Sequence, residues 1–178
     1  MDLFWKTILW RQFGAAIDML GNAMRVCPQE VWSGEPGKRP EWRDNDVVGF
    51  WYVAFHTLFF LDYYLSGSPE AFAPLAPFTL DELDPRGLLP ERPYTQAELL
   101  TYLEHCRNKC RSLIAATSDE KFRERCGFPR FEFSNAEMLL YNLRHVQHHA
   151  AQLNLLLRQG TGSAPQWVGR AEDLPAME

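Results

Sequence analysis

The chain has 178 residues, 46% hydrophobic, 23% charged and 13% aromatic, enough for one domain with a sizeable core. A net charge of −5 with no basic run argues against non-specific nucleic-acid binding. Four cysteines (Cys27, Cys106, Cys110, Cys126) are too few for a disulfide scaffold, so a reducing, cytoplasmic setting is expected.

The opening MDLFWKTILWRQF has an acid at position 2 and early charges, unlike a signal peptide. Residues 2–26 carry Leu3, Phe4, Thr7, Ile8, Phe13, Ile17, Leu20 and Met24 at three- and four-residue spacing, which predicts an amphipathic first helix. Residues 27–43, with Pro28, Pro36 and Pro40, read as an ordered connection. Asp44 or Asn45 can cap a second helix that runs to about Leu65 and ends at Ser66-Gly67. Its apolar residues cover nearly all sides, so it is a central helix, with His56 in its middle. The run from Val47 to Leu61, about 15 residues, is short of the roughly 20 that span a bilayer, so no membrane partner is expected.

Residues 66–94 hold six of the twelve prolines and no periodicity; so long a crossover inside a domain is often functional, for example as a lid. Thr95-Gln-Ala-Glu98 is a capping box opening a third helix to about Ala116, with Leu99, Leu103, Cys106, Cys110 and Leu113 on one face. Residues 117–133 read as irregular, with a short 3₁₀ turn near Asp119–Arg123. Ser134-Asn-Ala-Glu137 is a second capping box, opening a last helix that Gly160 ends as its C′ residue. Four long helices without a strand pattern make the fold all-α, a four-helix bundle over 1–160. Residues 161–178 form a tail on, or trailing from, the same domain.

Within the last helix, His145 and His149 leave the same face one turn apart, because positions four apart differ by roughly 40° around the axis. Met138, Tyr141, Gln152 and Leu156 share that face, so the pair points along the core stripe. Two such histidines are either packed and hydrogen-bonded or hold a metal. His56 is the histidine in the middle of the other strongly apolar helix, on a face with Tyr52, Val53, Phe59, Phe60 and Tyr63. Three neutral imidazoles around one ion leave positions open for water or substrate, as in catalytic sites, and suit Zn, Ni, Fe or Cu better than Mg or Ca.

His148 lies off this face on the other side from His149 and flanks the pair; His105, beside Glu104 and Arg107, reads as solvated. Gln152 is placed to hydrogen-bond a ligand at the centre or to close a buried polar network. Tyr52, Tyr63 and Tyr141 can line a pocket or simply pack. Cys106 and Cys110 share a face at i, i+4, where small buried hydrophobes are the more ordinary reading. Val53, Asn142, His145 and Val146 stand three before the candidate histidines, so the Glu-x-x-His of di-iron bundles is absent. No Walker loop, dinucleotide-binding glycine motif or Gly-x-Ser-x-Gly is present.

The run LLYNLRHVQHHAAQLNLLLRQ resembles the last helix of the DinB-like metalloenzyme family, related to the YfiT-type bundles. Members carry one histidine in the second helix and His-x-x-x-His in the fourth, matched here by His56, His145 and His149. Ala151-Gln152 stands where Gly-Gln is usual. The resemblance covers most of residues 2–160 and implies an up-down-down-up bundle with a long crossover between helices 2 and 3. It also implies a divalent nickel, zinc or manganese ion, commonly a homodimer, and thiol-dependent transfer on a small molecule, with hydrolysis second. Low-molecular-weight thiols are the implied co-substrates. Trp5 and Trp10 of the first helix are placed to cover a partner subunit. His148, Gln152 and Tyr141 are the residues expected just outside the metal ligands. The alternative is a non-catalytic, stress-associated helical dimer that binds a metal or small ligand.

Overall fold

The computed structural model describes residues 3–33 and 49–172, and every extended element among them is helical. Four long helices dominate: α1 (Leu3–Val26), α3 (Phe50–Leu65), α4 (Gln96–Ala116) and α6 (Asn135–Thr161). Two short helices, α2 (Gln29–Ser33) and α5 (Asp119–Arg123), join them, and a 3₁₀ turn at Asp81–Leu83 interrupts the crossover. The first connection thus contains a helix that proline content obscured. Its anchor is Trp32, buried, with Nε1–H donating to the Tyr94 carbonyl at 2.9 Å. The expected 3₁₀ turn at Asp119–Arg123 is a single α-helical turn, capped by Ser118.

α1 packs on α4 and α6, and α3 packs on the same two helices, so α1 and α3 stand diagonally across the bundle. Directions follow from the contacts. Lys6 near the start of α1 bonds the Ala115 carbonyl at the end of α4, so these two run antiparallel. Asp62 of α3 meets Tyr102 and Lys109 of α4, while Phe55 meets Tyr94 just before it, so α3 and α4 run parallel. His56 sits by His149 and Tyr64 by Tyr141, so α3 and α6 are antiparallel. The chain therefore runs up, down, down, up.

Burial of aromatic and aliphatic side chains sets these faces. Phe13, Ile17, Leu20 and Met24 of α1 are all fully buried. Each contributes about 1.5–3 kcal/mol, against about 1 kcal/mol for a typical hydrogen bond. Phe4, expected on the same stripe, is 60% exposed, because α1 overshoots the core at its start. Trp10, expected to cover a partner, instead lies in the core and donates Nε1–H to the Glu172 carbonyl at 2.7 Å; Trp5 stays exposed. Residues 163–172 run back along α1, with Ala171 N–H donating to the Arg11 carbonyl. Gly14 makes this approach possible, since a Cβ there would come within 2.6 Å of the Ala171 methyl.

α3 is buried nearly all round: every residue is buried except His56, Phe60 and Tyr63, which share one face. Gly49 is its N-cap; the caps read from sequence, Asp44 and Asn45, lie outside the described residues. α4 and α6 start at the capping boxes of Thr95–Glu98 and Ser134–Glu137, each with both reciprocal bonds formed. Gly160 does not end α6. The helix continues to Thr161 and is closed by Gly162, whose φ of 79° is left-handed. Gly160 is helical and lies against Val31, where a Cβ would approach Cγ2 to 2.7 Å.

Candidate metal centre

The fully buried stripe of α6 passes through Leu139, Asn142, Val146, Ala150, Leu153 and Leu157. Position 146 is about 100° round from 145, so the histidine face borders this stripe and is not its centre. His145 and His149 are accordingly half-buried, at the seam where α6 meets α3. His56 lies on the half-buried face of α3 that meets them. Two shoulders of two antiparallel helices thus bring the three rings together.

Their separations are short. Ring centroids lie 4.6 Å apart for His145–His149, 5.0 Å for His56–His149 and 5.5 Å for His56–His145. One nitrogen from each ring lies within 4.8 Å of the others, so the cluster could hold one metal ion. Phe60 packs on His56 at 4.8 Å and on His145 at 5.9 Å, and Tyr64 stands 6.3 Å from His145, forming an aromatic wall on that side.

Nδ1 of two of the rings lies against a side-chain oxygen. His56 Nδ1–H donates to Glu82 Oε2 at 2.8 Å. His149 Nδ1–H donates to Gln152 Oε1 at 2.6 Å. An oxygen acceptor at Nδ1 favours the ring hydrogen there, which in a neutral imidazole leaves the lone pair on Nε2, the arrangement in which imidazoles bind metals. His145 Nδ1 is buried with no hydrogen-bond partner among the described residues. Burial first, then the neighbouring imidazoles His149, His56 and His148, push the His145 pKa down from 6.5 to about 3. The ring is therefore neutral at ordinary pH, with one nitrogen unpaired among the described residues. Three converging imidazoles with an orphaned buried polar atom among them fit a divalent transition metal.

The other candidates separate clearly. Gln152 touches His149, as described. His148 is exposed, its ring 5.1 Å from that of His149, at the rim of the cluster. Tyr141 lies one layer away, packed on Tyr64 at 5.4 Å, Phe131 at 5.3 Å and Phe133 at 5.8 Å in a second aromatic cluster. Tyr63 packs against Phe72 and Phe128, and Tyr52 against Trp51 and His56. Cys106 and Cys110 are fully buried, with burial raising both thiols and disfavouring the thiolate. Their location is a core location.

Two features escaped the sequence reading. Glu82 sits in the aperiodic crossover, where spacing carries no signal. His105 is not simply solvated: its Nε2 lies 3.6 Å from Asp62, a fully buried carboxylate. Asp62 also accepts from Tyr102 Oη at 3.0 Å and Lys109 Nζ at 2.6 Å, in a polar network that ties α3 to α4. Asp62 stands six residues from His56, about 240° round α3, so this network and the imidazoles face different helices.

The family model described as the DinB superfamily matches residues 12–153, a span containing all three clustered histidines. No curated protein matches the chain.

Proposed function

From a chain that belongs to the DinB superfamily, with three imidazoles converging between α3 and α6, we propose a metal-dependent enzyme acting on a small molecule. His56, His145 and His149 would hold a divalent nickel, zinc or manganese ion, and the convergence of their nitrogens within 4.8 Å is the observation that carries the reading. The ion supplies Lewis acidity that stabilises negative charge on an oxygen or sulfur. Thiol-dependent transfer, with a low-molecular-weight thiol as co-substrate, is the first reaction class, and hydrolysis the second.

The chain's own residues have distinct work. Gln152 accepts a hydrogen bond from His149 Nδ1–H and holds that ring. Phe60 and Tyr64 exclude water from one side of His145. His148, exposed beside His149, is placed to take or return a proton at the rim. Tyr141 packs behind Tyr64, one layer from the imidazoles. The half-buried state of all three ligands supports an open centre over a closed structural one. A buried Cys27, Cys106, Cys110 and Cys126, all free thiols, fit a reducing, cytoplasmic setting. Among the described residues no helix is long and apolar enough to cross a membrane. A homodimer belongs to the same proposal, on the family resemblance.

The second reading, a non-catalytic metal-binding helical dimer, draws on the small number of acid–base groups beside the imidazoles. The test is elemental analysis of protein purified without a nickel column, repeated for His145→Ala, His149→Ala and His148→Ala. Near-stoichiometric metal is expected in the parent and in His148→Ala, and none in the other two. Less than about a tenth of an equivalent in the parent, with no stabilisation by added Zn or Ni, would discard the metal reading altogether. Equal loss in His148→Ala and His149→Ala would mean the ligands are misassigned.

A further inference from the structure

The 3₁₀ turn Asp81–Leu83 lies in the crossover, between Phe78, which stacks on Tyr102 at 4.3 Å, and Tyr94, which packs on Phe55 at 4.8 Å. The turn itself is a surface feature: Leu80 is 53% exposed and Leu83 38%. Glu82 goes the other way. Its side chain is 4% exposed, against the general tendency of acids to stay in water.

A carboxylate taken out of water without full hydrogen bonding costs stability. Glu82 is only half satisfied: Oε2 accepts from His56 Nδ1–H, and Oε1 is buried with no partner among the described residues. A carboxylate–imidazole contact kept for stability would be expected either exposed and nearly neutral in effect or buried with every oxygen paired. Neither describes this one. The carboxylate lies outside the cluster of mutually close ligand atoms, so it is not a fourth ligand of that set. What it does contact is Nδ1 of a candidate ligand, and a carboxylate bonded to one ring nitrogen fixes an imidazole's tautomer and raises the basicity of the other.

We propose that Glu82 is the positioning residue of the centre. It holds His56 with the hydrogen on Nδ1 and the lone pair on Nε2, and so makes the crossover a structural part of a site otherwise built from α3 and α6. This rests on the metal reading above. Gln152 performs the corresponding task for His149 with a neutral oxygen, so removing Glu82 removes the charged partner of the pair.

Two measurements test it. Long-range ¹H–¹⁵N spectra of metal-free protein report the His56 tautomer, and competition with a chromophoric chelator reports Co²⁺ and Zn²⁺ affinity for the parent, Glu82→Ala, Glu82→Gln and His56→Ala. We expect the Nδ1–H tautomer in the parent and a roughly 10–100-fold loss of affinity in Glu82→Ala. Glu82→Gln keeps an acceptor oxygen at the same reach and should recover much of that loss, while its matching size guards against a folding artefact. The proposal is overturned by an Nε2–H tautomer at His56 in the parent. It is equally overturned if Glu82→Ala binds Co²⁺ as tightly as the parent while His56→Ala does not, an outcome that leaves the metal reading standing. A parent that binds neither ion ends the metal reading and this inference together.

Discussion

At the scale of single residues, His145 is the most constrained group in the centre. Its Nδ1 is buried without a partner among the described residues, and its pKa is pushed down to about 3 by burial and then by the three neighbouring imidazoles. In the unfolded chain the same ring takes up its proton near 6.5. Between those values the unfolded state binds a proton that the folded state refuses. Stability of the metal-free protein is therefore complete above about pH 6.5 and falls as the pH drops toward 3, by at most about 1.4 kcal/mol per pH unit for this one site. Urea unfolding of metal-free parent and His145→Asn at pH 7 and pH 5 checks this. The parent should lose more stability over the interval than the variant; equal losses would show that His145 does not carry the dependence.

The same residue illustrates a limit of periodicity. Spacing alone puts His145 and His149 on one face, and that part holds. The depth of the face is another matter, because the deepest line of α6 follows Asn142, Val146 and Ala150. Which line goes deepest depends on how α6 rolls against α1 and α3, a choice made by all the packed side chains together.

At the scale of elements, the boundaries written in side-chain chemistry were legible and those made by packing were not. Thr95 and Ser134 cap α4 and α6 as their Thr-x-x-Glu and Ser-x-x-Glu patterns predict. Thr95→Ala and Ser134→Ala should each lower stability by about 1 kcal/mol, or about 2–4 °C in thermal midpoint for a chain of this size. Ser134 lies three turns from His145, so Ser134→Ala should leave metal affinity unchanged. A midpoint equal to the parent's in both variants would show that the caps are energetically idle. Gly160 and Gly162 mark the contrast. Sequence alone points to Gly160 as the stop, but Gly160 is needed where Val31 of α2 presses on α6, a contact invisible from local pattern.

At the scale of the whole molecule, the centre joins three separate stretches: His56 from α3, His145 and His149 from α6, and Glu82 from the crossover. Anything that binds this assembled arrangement and not the open chain stabilises the fold. Zn or Ni free at about 100 times its dissociation constant should add about 2.7 kcal/mol, a rise of about 5–10 °C in thermal midpoint. Differential scanning fluorimetry after chelator treatment and readdition measures it. The same rise in His56→Ala would place the stabilising ion somewhere else.

The four long helices, the N-terminal caps of α4 and α6, the bundle class and the three candidate histidines were legible in sequence, because each depends on residues a few positions apart or on strong apolar periodicity. Tertiary structure alone decided that Trp10 turns inward under the tail, that His105 approaches Asp62, and that Glu82 reaches His56. These contacts join positions far apart in the chain, two of them across stretches without a period. Their energies come from burial that exists only once the helices have met.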